Sequence, residues 1–260
     1  MFKYPKFING KKTICLENKV GKQMMMDILV YQLKKGQTKV FSKPNKEIAI
    51  LLLQGSVKFS TDNLSVVGKR KNVFEDGPYV IHVCKDKKIK VTALTNCEIL
   101  YQSTTNNKIF KSKIYRPKDI LHQVGGQGVL EGTMLRDINT VFDYENAPYS
   151  NMVLGEVLTR QGRWCSYVPH HHPQPEVYYY KFLRPEGFGG CFLNENVYYI
   201  KDGSCCYING GSTHVQSTAP GFAMYYAWMI RHLKNNPWNK TRIVDKRYKW
   251  LEKGSYGKAK

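Results

Sequence analysis

The stretch WCSYVPHHHPQPEVYYYKF, residues 164–182, sets three consecutive histidines and two prolines ahead of a glutamate that heads a tyrosine run. Side chains alternate faces along a strand, so His170 and His172 share one face and His171 takes the other. Two imidazoles on one inward face can hold one ion. Pro173 and Pro175 impose a turn, because proline supplies no ladder donor. The next strand opens at Glu176 and places Glu176, Tyr178, Tyr180 and Phe182 on one face. Further on, KDGSCCYINGGSTHVQ (201–216) carries a turn glycine at Gly203, the tight turn Asn209-Gly210-Gly211 and then His214. A hairpin of that size returns His214 and Gln216 towards the same interior. Three histidines in a row are, alone, a surface tract. Together with Glu176 and His214 they read as three imidazoles and a carboxylate around a divalent metal ion with positions left for substrate. Zn, Mn, Fe, Co and Ni all accept such nitrogen and oxygen donors, and the sequence does not choose among them.

The elements that must position these groups are short strands. EIAILLLQGSVKF (47–59) is an apolar strand, a turn at Gly55 and a second strand; FEDGPYVIHVC (74–84) repeats the pattern around Asp76-Gly77-Pro78. No long amphipathic helical period appears. Many short strands divided by Gly and Pro turns give an all-β sandwich or barrel. Two β-rich blocks, roughly 22–103 and 150–233, suggest a duplicated barrel. The divisions expected are an N-terminal barrel over 1–110 without metal ligands, a polar and glycine-rich connector over 111–150, and a metal-binding barrel with a basic tail over 151–260. In the first barrel His82 stands as a lone histidine without a partner.

Composition narrows the function classes. The 260 residues are 42% hydrophobic, enough for a sizeable core. No run approaches 18 consecutive apolar residues, and no apolar stretch follows the lysines of MFKYPKFINGKK, so neither a spanning helix nor a signal peptide is expected. Seven cysteines without regular spacing read as free thiols of a cytoplasmic protein, and Cys205 and Cys206 should face opposite ways. A formal charge of +20 raises nucleic-acid binding. The lysines, however, fall as pairs in turns and as a basic tail over 231–260, with no reading helix or finger. Nucleic acid is therefore not expected as the partner. An anionic small molecule is.

His170-x-His172-x3-Glu176, followed by Gly203-x5-Asn209-x-Gly211-x2-His214, resembles the two cupin motifs, with Asn209 where the second motif carries proline. That resemblance implies a jelly-roll β-barrel and, with the duplicated blocks, a bicupin of two such barrels. GEVLTRQGRWCSYVPHHH (155–172), GFAMYYAWMI (221–230), DKRYKWLE (245–252), TALTNCEIL (92–100) and YRPKDI…VGGQG (115–128) resemble the 5-deoxy-glucuronate isomerase family of inositol catabolism. The short loop Pro173-Gln174-Pro175 is closer to 5-keto-4-deoxyuronate isomerase of uronate breakdown.

The resemblance implies a metal-dependent aldose–ketose isomerisation, 5-deoxy-D-glucuronate to 5-dehydro-2-deoxy-D-gluconate, through an enediolate that the metal stabilises. The ligands it implies are His170, His172, Glu176 and His214, with Glu176, Tyr178 and Tyr180 as candidates for moving the proton. A sugar-acid carboxylate needs a cation, and Arg136 and Arg163 are the candidates. Lys181 points away from Glu176 by strand parity. The same ligands would also serve a redox cupin such as a dioxygenase. Small barrels tend to cover their sheet edges with copies of themselves, so a homo-oligomer is expected.

Overall fold

Runs such as AILLL, VYYYKF and MYYAWMI are apolar on both strand faces, and a strand of that kind must be buried on both sides. The computed structural model, which describes residues 1–62 and 64–253, shows how. Tyr178, Tyr180 and Phe182 enter one core, while Val177 and Tyr179, between them, enter another. Ile48, Ile50 and Leu52 face a third core, and Ala49, Leu51 and Leu53 turn back to the one that holds Val177. Cys205 and Cys206 divide between two cores in the same way, as strand alternation requires.

The architecture is all-β: the described residues form strands and four short 3-10 helices. A nine-stranded sheet comes from residues 11–115, a seven-stranded sheet runs from Phe2–Lys3 at one edge to Leu121–Gly125 at the other, and a five-stranded sheet carries the histidine motif. The sixteen-residue strand Lys46–Thr61 changes partners along its length. Its first half pairs with Val80–Val83 and Cys97–Thr105, its second half with Leu64–Arg70 and Ile89–Ala93, so the sheet curls. Among the described residues no helix is long and apolar enough to cross a membrane, a statement that does not bear on strands.

Sheet pairing joins stretches that are distant in the chain. Phe2–Lys3 pairs with Cys205–Ile208 in the seven-stranded sheet, far from the rest of the N-terminal block. The 111–150 stretch gives Lys113–Tyr115 to the nine-stranded sheet and Leu121–Gly125 with Arg136–Phe142 to the seven-stranded one. Leu121–Gly125 is an exposed sheet edge, with no core-facing alternation along it.

Nor is His82 alone. Its Nε2 lies 2.9 Å from Glu47 Oε2, both side chains being fully buried, and its ring stacks on Phe142 at 4.4 Å. Glu47 also accepts from Asn106 Nδ2, Ser150 Oγ and the Asn151 main-chain N–H. This buried polar network joins the two halves of the chain.

The core between the seven- and nine-stranded sheets holds a second such network. Arg70 forks onto Glu156, Nη1 to Oε1 at 2.7 Å and Nη2 to Oε2 at 2.9 Å, and Tyr225 donates to the same carboxylate at 2.6 Å. Desolvation works to lower the Arg70 guanidinium, but the charge and hydrogen bonds of Glu156 outweigh it and the group stays firmly protonated.

Candidate metal centre and active site

The histidine strand, Trp164–His171, lies antiparallel to His214–Thr218, with His170 directly opposite His214. A register shift between Cys165 and His170 bends the strand, as bulges near sites commonly do. Inside it Ser166 takes positive φ (53°) and places its Oγ 3.2 Å from the Tyr178 hydroxyl and 3.3 Å from that of Tyr226. His172 follows the strand, the Pro173–Pro175 turn reverses the chain, and Glu176 opens the next strand on the seven-stranded sheet.

The candidate ligands His172, Glu176 and His214 converge: their donor atoms all lie within 4.8 Å of one another, and all three are buried. Glu176 Oε2 is 3.2 Å from His172 Nε2 and 3.4 Å from His214 Nε2. His170 falls outside that tight set but adjoins it, its ring centroid 4.6 Å from that of His214.

Hydrogen bonding fixes what these nitrogens offer. His170 Nδ1 is 2.9 Å from the Val168 carbonyl and His214 Nδ1 is 3.0 Å from the Ser212 carbonyl. A carbonyl can only accept, so each Nδ1 carries the proton and each Nε2 presents a lone pair. Burial, and then the neighbouring His214, pushes the His170 imidazole below its usual range; burial likewise lowers His214 against the opposing pull of Glu176. Both rings are therefore neutral. A bare His214 Nε2 facing a carboxylate oxygen sets lone pair against lone pair, and a cation between them relieves that repulsion. The donor set thus fits a divalent ion, and carbonyls orient the imidazoles of His170 and His214 through their Nδ1 atoms.

The loops that carry the ligands are locked together. Gly211 N–H donates to the His172 carbonyl at 2.8 Å, and a Cβ on Gly210 would stand 1.9 Å from the Pro173 carbonyl oxygen. Backbone cannot yield there without moving His172. Gly210→Ala is therefore expected to displace His172 by about 1 Å, and misplacement on that scale costs roughly 100-fold in turnover. Titrating metal into both proteins and comparing turnover at saturation checks it; an unchanged variant would show that the Pro173 loop relaxes independently of the site.

The cluster opens into a cavity of about 320 Å³ whose wall includes Ser166, Tyr178, Tyr226, Trp228 and Trp238. Burial, followed by the nearby Glu176, raises the Tyr178 phenol well above its ordinary range; burial and then Cys165 do the same for Tyr226. Both remain protonated donors. Arg136 also lines the cavity, across from Gly125, where an added Cβ would sit 2.9 Å from its guanidinium carbon. That close approach explains a glycine in the VGG stretch.

Two candidates lie elsewhere. Tyr180 is fully buried, donates its hydroxyl to Gln216 Oε1 at 2.7 Å and does not line the cavity. It shares a strand face with Tyr178 but sits deeper along it. Arg163 belongs to the turn before the histidine strand and is also absent from the cavity wall. Sequence reasoning did not single out Ser166, Tyr226, Trp238 or Arg242. Only the tail segment TRIV (241–244), with an isolated apolar pair in a basic stretch, hinted that the tail returns to a sheet.

The chain is similar to 5-deoxy-glucuronate isomerases of Geobacillus kaustophilus (27% identical, 76% of each chain covered) and Geobacillus thermodenitrificans (26% identical, 80% of this chain and 84% of the relative). Among solved structures, an IolB-like protein of Salmonella typhimurium superposes with a TM-score of 0.86 at 17% identity, over 96% of this chain and 98% of the other, which speaks to the fold alone. The KduI/IolB family profile matches residues 3–251, nearly the full length and both stretches that carry the candidate ligands, and the chain belongs to that family.

Proposed function

We propose that this protein is a metal-dependent isomerase of a modified uronic acid, converting 5-deoxy-D-glucuronate to 5-dehydro-2-deoxy-D-gluconate. The observation that carries the reading is the convergence of His172, Glu176 and His214, with His170 beside them, on a cavity that also presents an arginine and protonated phenols. The Geobacillus relatives bear the name of that activity. The short Pro173–Pro175 turn favours a second substrate, 5-keto-4-deoxyuronate, within the same chemistry. We read the nine-stranded sheet as one jelly-roll barrel and the seven- and five-stranded sheets as the other, in a cytoplasmic homo-oligomer.

His170, His172, Glu176 and His214 would hold the ion, which when bound supplies Lewis acidity to polarise the substrate carbonyl. Arg136 receives the carboxylate and sets which end of the sugar faces the histidines. Tyr178 donates to the oxygen on which charge develops, and Ser166 and Tyr226 keep its hydroxyl in place. Glu176 Oε1 makes no hydrogen bond to the described residues and is the carboxylate atom free to hold the proton in transit between neighbouring carbons. The apolar faces of Trp228 and Trp238 exclude water.

The test supplies 5-deoxy-D-glucuronate and 5-keto-4-deoxyuronate separately to metal-reconstituted and metal-stripped protein, with products followed by NMR in deuterated water. Metal-dependent turnover of the first, with or without solvent deuterium at the product carbon, supports the proposal. Turnover of the second alone reassigns the substrate. Reaction of neither removes the isomerase reading.

A further inference from the structure

Three cations line the cavity: Arg136, Lys240 and Arg242. Lys240 is already paired with Glu145 and stands 4.0 Å from Asp143. The two arginines are not paired. Arg136 donates Nη1 to the Met134 carbonyl at 2.9 Å, Arg242 donates Nη2 to the Val168 carbonyl at 2.8 Å, and neither forms an ion pair with a carboxylate among the described residues. Of the carboxylates in the cavity wall, Glu176 is directed at the imidazoles and Asp143 accepts from the Glu145 and Asn146 main-chain N–H groups. Guanidinium groups that share one cavity and form no ion pair among the described residues are arranged for an anion that comes from outside.

Arg242 reaches this position by an indirect route. After Met224–Arg231 the chain turns back over the cavity, with Trp238, Lys240, Thr241 and Arg242 in its wall. Ile243–Val244 then joins the histidine strand, Val244 opposite His170 and Ile243 opposite His171. The crossing segment is fastened at several points: Gln174 Nε2 donates to the Asn236 carbonyl at 2.9 Å, the Trp238 main-chain N–H donates to His232 Nδ1 at 2.9 Å, and Trp238 Nε1 donates to the Thr241 carbonyl at 3.2 Å. Arg242 is thereby held in register with the strand that carries His170. It lines the same cavity as Arg136.

We infer that Arg242 is the specificity-determining residue of this cavity, pairing with Arg136 to receive the carboxylate of a sugar acid beside the histidine cluster. The inference takes its ligand class from the sugar-acid reading above but does not depend on isomerisation. A fork of N–H donors on each side matches the planar carboxylate and leaves a neutral sugar with no comparable partner. Arg242 is exposed at the cavity mouth and can be replaced without opening a core.

The experiment measures binding of D-glucuronate and D-glucose to the metal-free full-length chain at low salt, through quenching of tryptophan fluorescence, since Trp228 and Trp238 line the cavity. Wild type should prefer glucuronate. Arg242→Gln should weaken glucuronate on the order of 10- to 100-fold, the range for a charged hydrogen-bonded contact, and leave glucose unchanged. Arg242→Lys should recover only part, because an ammonium cannot fork. Equal glucuronate binding by wild type and Arg242→Gln, equal weakening for both sugars, or no preference in wild type would each overturn the inference. Absence of isomerase turnover together with Arg242-dependent glucuronate binding would remove the proposed reaction and keep the clamp. Turnover with Arg242-independent binding would do the reverse.

Discussion

Glu156→Ala is expected to destabilise the protein by about 3–5 kcal/mol, the cost of leaving one member of a buried ion pair uncompensated. Arg70 would keep its charge in a core where its side chain is 1% exposed, with only the Leu52 and Asp76 carbonyls as partners. Tyr225 would lose its acceptor at the same time. At roughly 2–4 °C per kcal/mol for a chain of this size, the melting temperature should fall by about 10 °C. The control is the double variant Arg70→Met with Glu156→Leu. If the loss comes from the stranded charge rather than from packing, the apolar pair should regain most of it, since buried ion pairs and well-packed apolar replacements are often equivalent. Denaturation of wild type, single and double variants decides. A single variant within 1 kcal/mol of wild type would mean that water reaches Arg70 and that the contact between the nine- and seven-stranded sheets is looser than the structure has it.

His214→Ala should abolish stoichiometric metal binding and lower turnover on the order of 1000-fold. The reasoning is arithmetic: Lewis-acid assistance is worth several kcal/mol, and each 1.4 kcal/mol is about a factor of ten in rate. His214 is opposite His170 across the strand pair and shares Glu176 Oε2 with His172, so no neighbour can replace its lone pair. His171→Ala is the matched control, one residue from two candidate ligands and on the opposite strand face, and should bind metal and turn over as wild type does. Metal content by elemental analysis, read beside the rate, separates loss of the ion from loss of the fold. A variant that keeps both its metal and its rate would displace His214 from the site.

What the sequence disclosed was local. Alternation along Glu176–Phe182 placed Glu176 and Tyr178 on one face, and the turn Asn209-Gly210-Gly211 announced the strand that bears His214, because both signals are carried by a few neighbouring residues. What it withheld depends on partners far away in the chain. Tyr178 and Tyr180 have the same parity, and only the position of Gln216 assigns one to the cavity and the other to the interior. Arg163 seemed close because it adjoins the histidine strand, yet it precedes Trp164 at one end while His170 and His171 close the other. Arg242 resembled part of a basic tail until the pairing of Ile243–Val244 with His170 and His171 brought it back. His82 and Glu47 are 35 positions apart and meet through the pairing of Lys46–Thr61 with Val80–Val83.

Glu176 stands on the seven-stranded sheet, whereas His170 and His214 belong to the five-stranded one. An ion shared between them would be a clasp across two layers that otherwise meet through side-chain packing and a few hydrogen bonds, such as those of Tyr180 with Gln216 and Ser166 with Tyr178. Any ligand bound only by the folded state adds to its stability, by about 2.7 kcal/mol when present at 100 times its dissociation constant. The survival of the chain inside a cell would then follow the supply of metal: loaded molecules would persist, and starved ones would open more often and reach proteases sooner. Abundance, and not only catalytic rate, would report on whether the ion was there.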